Sequence, residues 1–406
     1  MEQAGHHLLS GIVVVDFTQF LAGPVVTQTM AELGAEVIKI ELAPTGDPGR
    51  YLPLQRDGRS GYFVQQNTAK MSLCVDIKRD EGRALVMDLL KSADVMVENY
   101  SPGVIAKLGF GWETVHALNP RLVMGSVSAL GQTGPLAQLP GFDFTGQAYS
   151  GVASMVGDPD GPPALMGVAV GDVGAGMSAL SAINAGLVYR ERTGRGTRVE
   201  ASLLDFLVRS HEVNIEMYSL SGGAFKPNRC GSQSGAYAPV GYYRAPGGYV
   251  SLVVPSGLWP RFCAAMNRPE LENDPRFASN ELRAANIDAL VRIIEDWMRG
   301  FDDVHAVVAH CSAHRIPAAP VLTVEQAIHH PHMIERESVR KVTDPIFGEI
   351  TLAGQPICAE GFPRHTGKPA PLLGEHNAWV LRRYLKRSDA EIERLGESGV
   401  LAQARC

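Results

Sequence analysis

The sequence predicts an α/β protein: a doubly wound, Rossmann-like large domain joined to a smaller α+β domain. Three observations carry this expectation. Short apolar runs rich in β-branched residues recur through the first third of the chain, as buried parallel strands require. Stretches of helical character separate them, which is the alternation of a sheet with crossover helices. At 406 residues, moreover, the chain is longer than one core normally fills.

The elements follow in order. Gly11–Asp16 reads as the first strand, Ala22-Gly23-Pro24 as a break, and Val25–Leu33 as a helix stopped by Gly34, a favourable residue beyond a helix end. Glu36–Glu41 and Ser72–Asp76 read as strands, Asp80–Ser92 as a helix and Val95–Glu98 as a strand. A helix after Pro102 and a strand at Leu122–Val127 complete the series. The large domain is placed at 1–224, with 326–406 returning to it through a strand at Glu349–Leu352 and a helix at Asn377–Leu385. The small domain is placed at 225–325. There, Tyr242–Arg244 and Tyr249–Val254 flank the turn Ala245-Pro246-Gly247-Gly248 as a hairpin, and Ile287–Arg299 has helical spacing.

Composition narrows the function. A net charge of −6 without a basic cluster gives no footprint for nucleic acid, so small molecules or protein chains are the expected partners. No charged and apolar leader opens the chain, and six scattered cysteines without a CxxC pair fit a reduced, cytoplasmic setting with no zinc site. The apolar stretch Ala164–Tyr189 is long enough to span a bilayer, but it carries Asp172 and several glycines. A buried strand, turn and helix explain it better than a membrane segment. The histidines in Ile328-His329-His330-Pro331-His332 lack companions at metal-ligand spacing, so no metal is expected.

The most informative segment is Gly167–Met177, in which Asp172 interrupts a glycine-rich apolar run. Glycines allow close approach of backbone and ligand, and an Asp at a helix start is favoured in its ionised form. An ionised carboxylate shielded from water can act as a nucleophile toward an acyl carbon. The same residue read by itself also suits an ordinary helix cap.

At whole-chain level the sequence resembles the class III CoA-transferase family, which also contains α-methylacyl-CoA racemases. The resemblance rests on pieces in family order: Val15-Asp16-Phe17-Thr18 with Ala22-Gly23-Pro24, Leu33–Glu41, Gly46-Asp47 with Arg50, and Ala93–Tyr100 with Pro102-Gly103. Leu108-Gly109-Phe110, Asn119–Leu122, Gly141-Phe142-Asp143, Gly171-Asp172, Thr193–Gly196 and Leu372–His376 follow. The resemblance implies that Asp172 is the covalent nucleophile and that CoA passes between carboxylic acids through an aspartyl anhydride and an aspartyl-CoA thioester. It implies CoA contacts at Arg50, Lys70, Asn99 and Lys107, and substrate or oxyanion roles for Gly23, Phe142, Asp143 and Gly171. It further implies an interlocked homodimer, acyl-CoA as substrate rather than a permanently bound cofactor, and a mobile loop at 228–239 over the site. Succinyl-CoA as donor and a small, including dicarboxylic, acid as acceptor are the expected substrates, with Arg229 or Arg244 near a distal carboxylate.

Some positions depart from the family pattern. Leu42-Ala43-Pro44, Met71 and Leu21 stand where relatives carry basic residues or glutamine, and Phe142 stands where the racemases carry a proton-shuttling histidine. A 2-methylacyl-CoA racemase and a non-catalytic acyl-CoA-binding paralogue are the alternative readings.

Overall fold

The structure is a computed structural model that describes residues 7–404. Its central sheet contains β1 (Val13–Asp16), β2 (Glu36–Leu42), β3 (Met71–Val75), β4 (Val95–Glu98), β5 (Val123–Ser128) and β6 (Arg198–Ser202). All neighbours run parallel, in the order β3-β2-β1-β4-β5-β6, which is the order of a doubly wound α/β sheet. The chain leaves β1 toward one side of the sheet and later crosses to the other, so β1 and β4 lie side by side at the switch point.

Strand alternation builds two cores. Val14, Val37, Val95 and Val97 point to one face, where α1 (Ala22–Glu32) packs. Val15, Ile38, Ile40 and Met96 point to the other, covered by the helices Asp80–Leu90 and Asn377–Leu385. The segment Ala22-Gly23-Pro24, expected to be a break, is instead the first turn of α1. Proline is tolerated there because a first-turn N–H has no partner within the helix.

Three further helices pack together: α2 (Asp143–Tyr149), α3 (Val170–Thr193), which shares the core of α1 through Ala175, Ala179 and Ile183, and α4 (Leu203–Arg209). The strand expected just before Asp172 is absent. Residues 163–169 are irregular, and α3 then runs for 24 residues, placing Asp172 inside its first turn. The glycines within α3 are there for packing. A Cβ on Gly174 would sit 1.9 Å from the Phe206 ring, and one on Gly176 would sit 2.6 Å from the Ala22 carbonyl oxygen.

The described residues form two compact units, one from the stretches before 151, 168–210 and after 329, the other from 151–167 and 211–329. Residues 151–167 and 211–224, assigned by sequence to the larger domain, therefore group with the second unit. That unit holds the hairpin Val240–Ala245 and Gly248–Val253, extended antiparallel by Ala318–Pro320. Its helices Trp259–Ala265, Ile287–Met298 and Val304–Ala313 close a core around Phe262, Leu290, Ile294 and Val307. Among the described residues, no helix is long and apolar enough to cross a membrane.

Candidate active site

Open α/β sheets bind ligands beyond the carboxyl ends of their strands, at the switch point. A cavity of about 260 Å³ lies there. Its walls come from the segment after β1 (Gln19–Ala22), the segment after β4 (Asn99–Ser101) and the end of β5 (Val127–Ala129). Pro140, Gly141, Phe142, Asp172 and Leu203 complete it.

Asp172 enters from the first turn of α3 and is partly buried. Burial pushes its carboxyl up to about 7, and the nearby Asp143 charge adds to the effect. The expectation of a carboxylate held ionised by the helix start is thereby corrected: desolvation and a like charge favour the neutral acid. Asp143 is the buried first residue of α2. Its Oδ1 accepts the Asp172 backbone N–H at 2.9 Å, and its Oδ2 accepts from the Gln147 amide. Gly171 makes this approach possible, because a Cβ there would stand 2.7 Å from Asp143 Oδ1. Phe142 lies at the mouth, 67% exposed, with its ring edge-on to Phe20 at 6.1 Å.

The wall after β1 is held by buried charges. Lys39 pairs with Asp47 at 2.9 Å and donates to the Thr18 carbonyl at 2.6 Å. Asp16 accepts from the Thr18 hydroxyl at 2.6 Å and the Thr27 hydroxyl at 2.7 Å, and it pairs with Lys70 at 3.1 Å. Burial works to raise the Asp16 pKa. Lys70, Lys39 and the two hydroxyls outweigh it and hold the carboxyl below its ordinary range. Gly23 fits closely under this wall, since a Cβ would meet Thr18 at 2.5 Å and Asn99 Cγ at 2.9 Å.

Three of the four residues expected to contact CoA are engaged by neighbouring protein groups. Lys70 is fully buried against Asp16, and burial, partly countered by Asp16, brings its ammonium down to about 8. Arg50 is engaged by Glu41 at 2.7 Å and lies 3.6 Å over the Phe63 ring. Asn99 lines the cavity but spends its carboxamide on the Gln19 backbone. Lys107 is exposed at the end of the short helix Val104–Lys107.

Other residues were not singled out from sequence. The buried Ser128 hydroxyl lines the cavity without a hydrogen-bond partner, and Tyr100 lines it beside Asn99. Burial, with the charges of Asp172 and Asp47, pushes the Tyr62 phenol up to about 12, which places it in the electrostatic reach of the site. The signal that points to Ser128 and Tyr100 is positional, because each sits at the carboxyl end of a central strand or just beyond it.

In the second unit, the 228–239 segment lines a separate cavity of about 300 Å³ with Asn214 and Phe225. Arg229 donates to the Asp158 carbonyl at 3.1 Å, and Arg244 lies over the Tyr249 ring. Among the described residues, no group of three or more His, Cys, Asp or Glu is arranged to hold a metal ion.

Residues 9–377 match the family described as CoA-transferase family III. The chain is 34% identical over 409 residues to the formyl-CoA:oxalate CoA-transferase of Streptomyces avermitilis, covering 97% of this chain and 99% of that one. It is 33% identical over 400 residues to the succinyl-CoA:glutarate CoA-transferase of Mus musculus, covering 97% and 90%. Its fold is similar to that of a CAIB/BAIF family protein from Brucella suis, with a TM-score of 0.81 and 30% identity over 94% of this chain and 100% of that one. The crystal structure of Rv3272 from Mycobacterium tuberculosis is similar too, with a TM-score of 0.80 and 28% identity over 92% and 98%. A family match over nearly the whole chain, shared with named CoA-transferases, shows that this protein belongs to CoA-transferase family III and is an enzyme that transfers coenzyme A.

Proposed function

We propose that the enzyme moves CoA from a short acyl-CoA donor, such as succinyl-CoA, to a small carboxylic acid, dicarboxylic acids included, with Asp172 as the covalent nucleophile. The observation that carries this reading is Asp172 itself. It is a partly buried carboxyl in a cavity at the switch point, ionising near neutrality rather than near 4. A carboxylate made more basic by desolvation is a stronger nucleophile than one in water, yet about half of it is ionised at pH 7.

The transfer runs in four balanced acyl exchanges. An Asp172 carboxylate oxygen attacks the donor thioester carbonyl, a C–O bond forms, and CoA leaves as thiolate from an aspartyl anhydride. The thiolate attacks the aspartyl carbonyl, releasing the donor acid as carboxylate and leaving an aspartyl-CoA thioester. The acceptor carboxylate attacks that thioester and expels the thiolate again. The thiolate then attacks the acceptor acyl carbonyl, giving the product thioester and freeing Asp172. Each tetrahedral oxyanion needs donors. In the first turn of α1, Pro24 has no N–H, so the backbone amides of Ala22, which lines the cavity, and Gly23 are the proposed donors.

Arg50 and Lys70 are committed to internal ion pairs, so exposed cations such as Lys107 are the proposed partners of CoA phosphate. Phe142 has no proton to shuttle, which speaks against racemase chemistry by that route. We also propose a homodimer of the interlocked kind working in the cytoplasm. Exposed apolar side chains on α3, Val173, Val188 and Tyr189, support a protein partner on that face.

The test is a panel of labelled acids offered with succinyl-CoA and acetyl-CoA to the wild type and Asp172→Ala. Label should enter the thioester pool with the wild type, and exchange should fall by at least about 10³-fold in the variant, the scale of losing a covalent nucleophile. Deuterium from solvent appearing at C2 without CoA exchange would instead establish the racemase. CoA binding with no exchange across the panel would establish the non-catalytic reading.

A further inference from the structure

We infer that Asn99 is a positioning residue: its carboxamide fixes the segment that carries α1's first amides into the cavity holding Asp172. The inference rests on the proposed role of that cavity in acyl transfer.

Between β1 and α1 the chain must turn within a few residues, and it does so with Phe20 at φ 60°. Bulky residues avoid this left-handed region, so the surroundings must hold it there. Five main-chain groups in succession are tied down. The Thr18 N–H donates to Asp16 Oδ1 at 2.8 Å, and the Thr18 carbonyl accepts from Lys39 at 2.6 Å. The Gln19 N–H donates to Asn99 Oδ1 at 2.7 Å, and the Gln19 carbonyl accepts from Asn99 Nδ2 at 2.8 Å. The Phe20 N–H donates to Asp47 Oδ1 at 3.3 Å.

Asn99 is distinctive among these anchors. A single uncharged side chain satisfies both backbone groups of one residue, because a carboxamide sets an oxygen acceptor and an N–H₂ donor side by side. It does so across the switch point, from the end of β4 to the end of β1. It also lies under α1, with its Cγ only 2.9 Å from where a Gly23 Cβ would be. A shift of Gln19 would therefore pass directly to Leu21 and Ala22, which line the cavity with Asp172. Read this way, Asn99 acts on catalysis through the loop rather than by touching CoA.

The two roles separate kinetically. Asn99→Asp keeps size, shape and the acceptor for the Gln19 N–H, but turns a carboxylate oxygen toward the Gln19 carbonyl. The expected result is a fall in kcat of about 10- to 100-fold, the scale of a small misplacement of transition-state groups, with KM for acyl-CoA and equilibrium CoA binding within about twofold. A rise in KM with kcat unchanged, or no change in either, overturns the inference. If Asn99→Asp does not fold, Asn99→Ser is read in the same way. The wild type runs alongside: if it exchanges CoA without an adduct at Asp172, the nucleophile assignment fails, while the Asn99 kinetics still decide the positioning role.

Discussion

Replacing Asp172 by Asn should make the protein more stable at alkaline pH, by an amount that disappears on acidification. The carboxyl ionises near 3.8 when unperturbed and near 7 in the fold, because burial and then the Asp143 charge disfavour its anion. Between those values the folded state holds a proton that the unfolded chain has released, so stability falls as pH rises through the window. Above pH 7 the difference of about 3 pKa units, at about 1.4 kcal/mol each, amounts to a destabilisation of about 4 kcal/mol carried by the ionised side chain. Asn keeps the shape and carries no charge. Its gain should therefore approach a few kcal/mol at pH 8, shrink through the window and vanish near pH 4. Urea unfolding of both proteins at a series of pH values, with m-values compared, measures it. An Asn variant no more stable than wild type at pH 8, or a gain that does not change with pH, would refute the reasoning. This is the stability that a site gives up to keep a desolvated nucleophile.

Two further predictions concern buried charges, the first at Asp172 and the second at Asp16. The rate of the first acyl transfer should rise with pH through about 7 as Asp172 ionises, and Asp143→Asn should move that rise to lower pH by removing the like charge; pre-steady-state rates against pH would show it, and an unmoved midpoint would contradict it. Lys70→Met should destabilise the fold by about 3–5 kcal/mol by leaving Asp16 buried and unpaired. Denaturant midpoints would show that loss, whereas a variant of wild-type stability with weakened CoA binding would return Lys70 to the ligand.

What could be read from sequence was set by which forces act locally. The central strands announce themselves because both faces are buried, so Val14 and Val15 are equally apolar although they point to opposite cores. The helix at Asn377–Leu385 begins and ends where its pattern does. Strand β6 carries no clear apolar signal because it is an edge, with exposed Arg198 and Glu200 on its outer side. The start of α3 is not legible in the sequence, because its glycines and β-branched residues suit a strand locally. Packing of Gly174 on Phe206 and of Gly176 on Ala22 decides for helix, and those partners are distant in the chain. The site shows the same division. Asp172 is legible as a charge in an apolar run, but its raised pKa comes from burial in the fold and then from Asp143, 29 residues earlier. The sequence offers Lys70 and Arg50 as CoA contacts, but it does not show that Asp16 and Glu41, far from them along the chain or on another strand, pair with them in the fold.

The central claim is that acyl groups pass through the Asp172 carboxyl. It is tested most directly by quenching the enzyme in acid during turnover with succinyl-CoA and mapping the added mass by peptide sequencing in a mass spectrometer. The account predicts a succinyl or CoA-derived mass on the peptide bearing Asp172, discharged when acceptor acid is added and absent from Asp172→Asn. Full turnover with that peptide unmodified at every quench time, or an adduct on another residue, would contradict it.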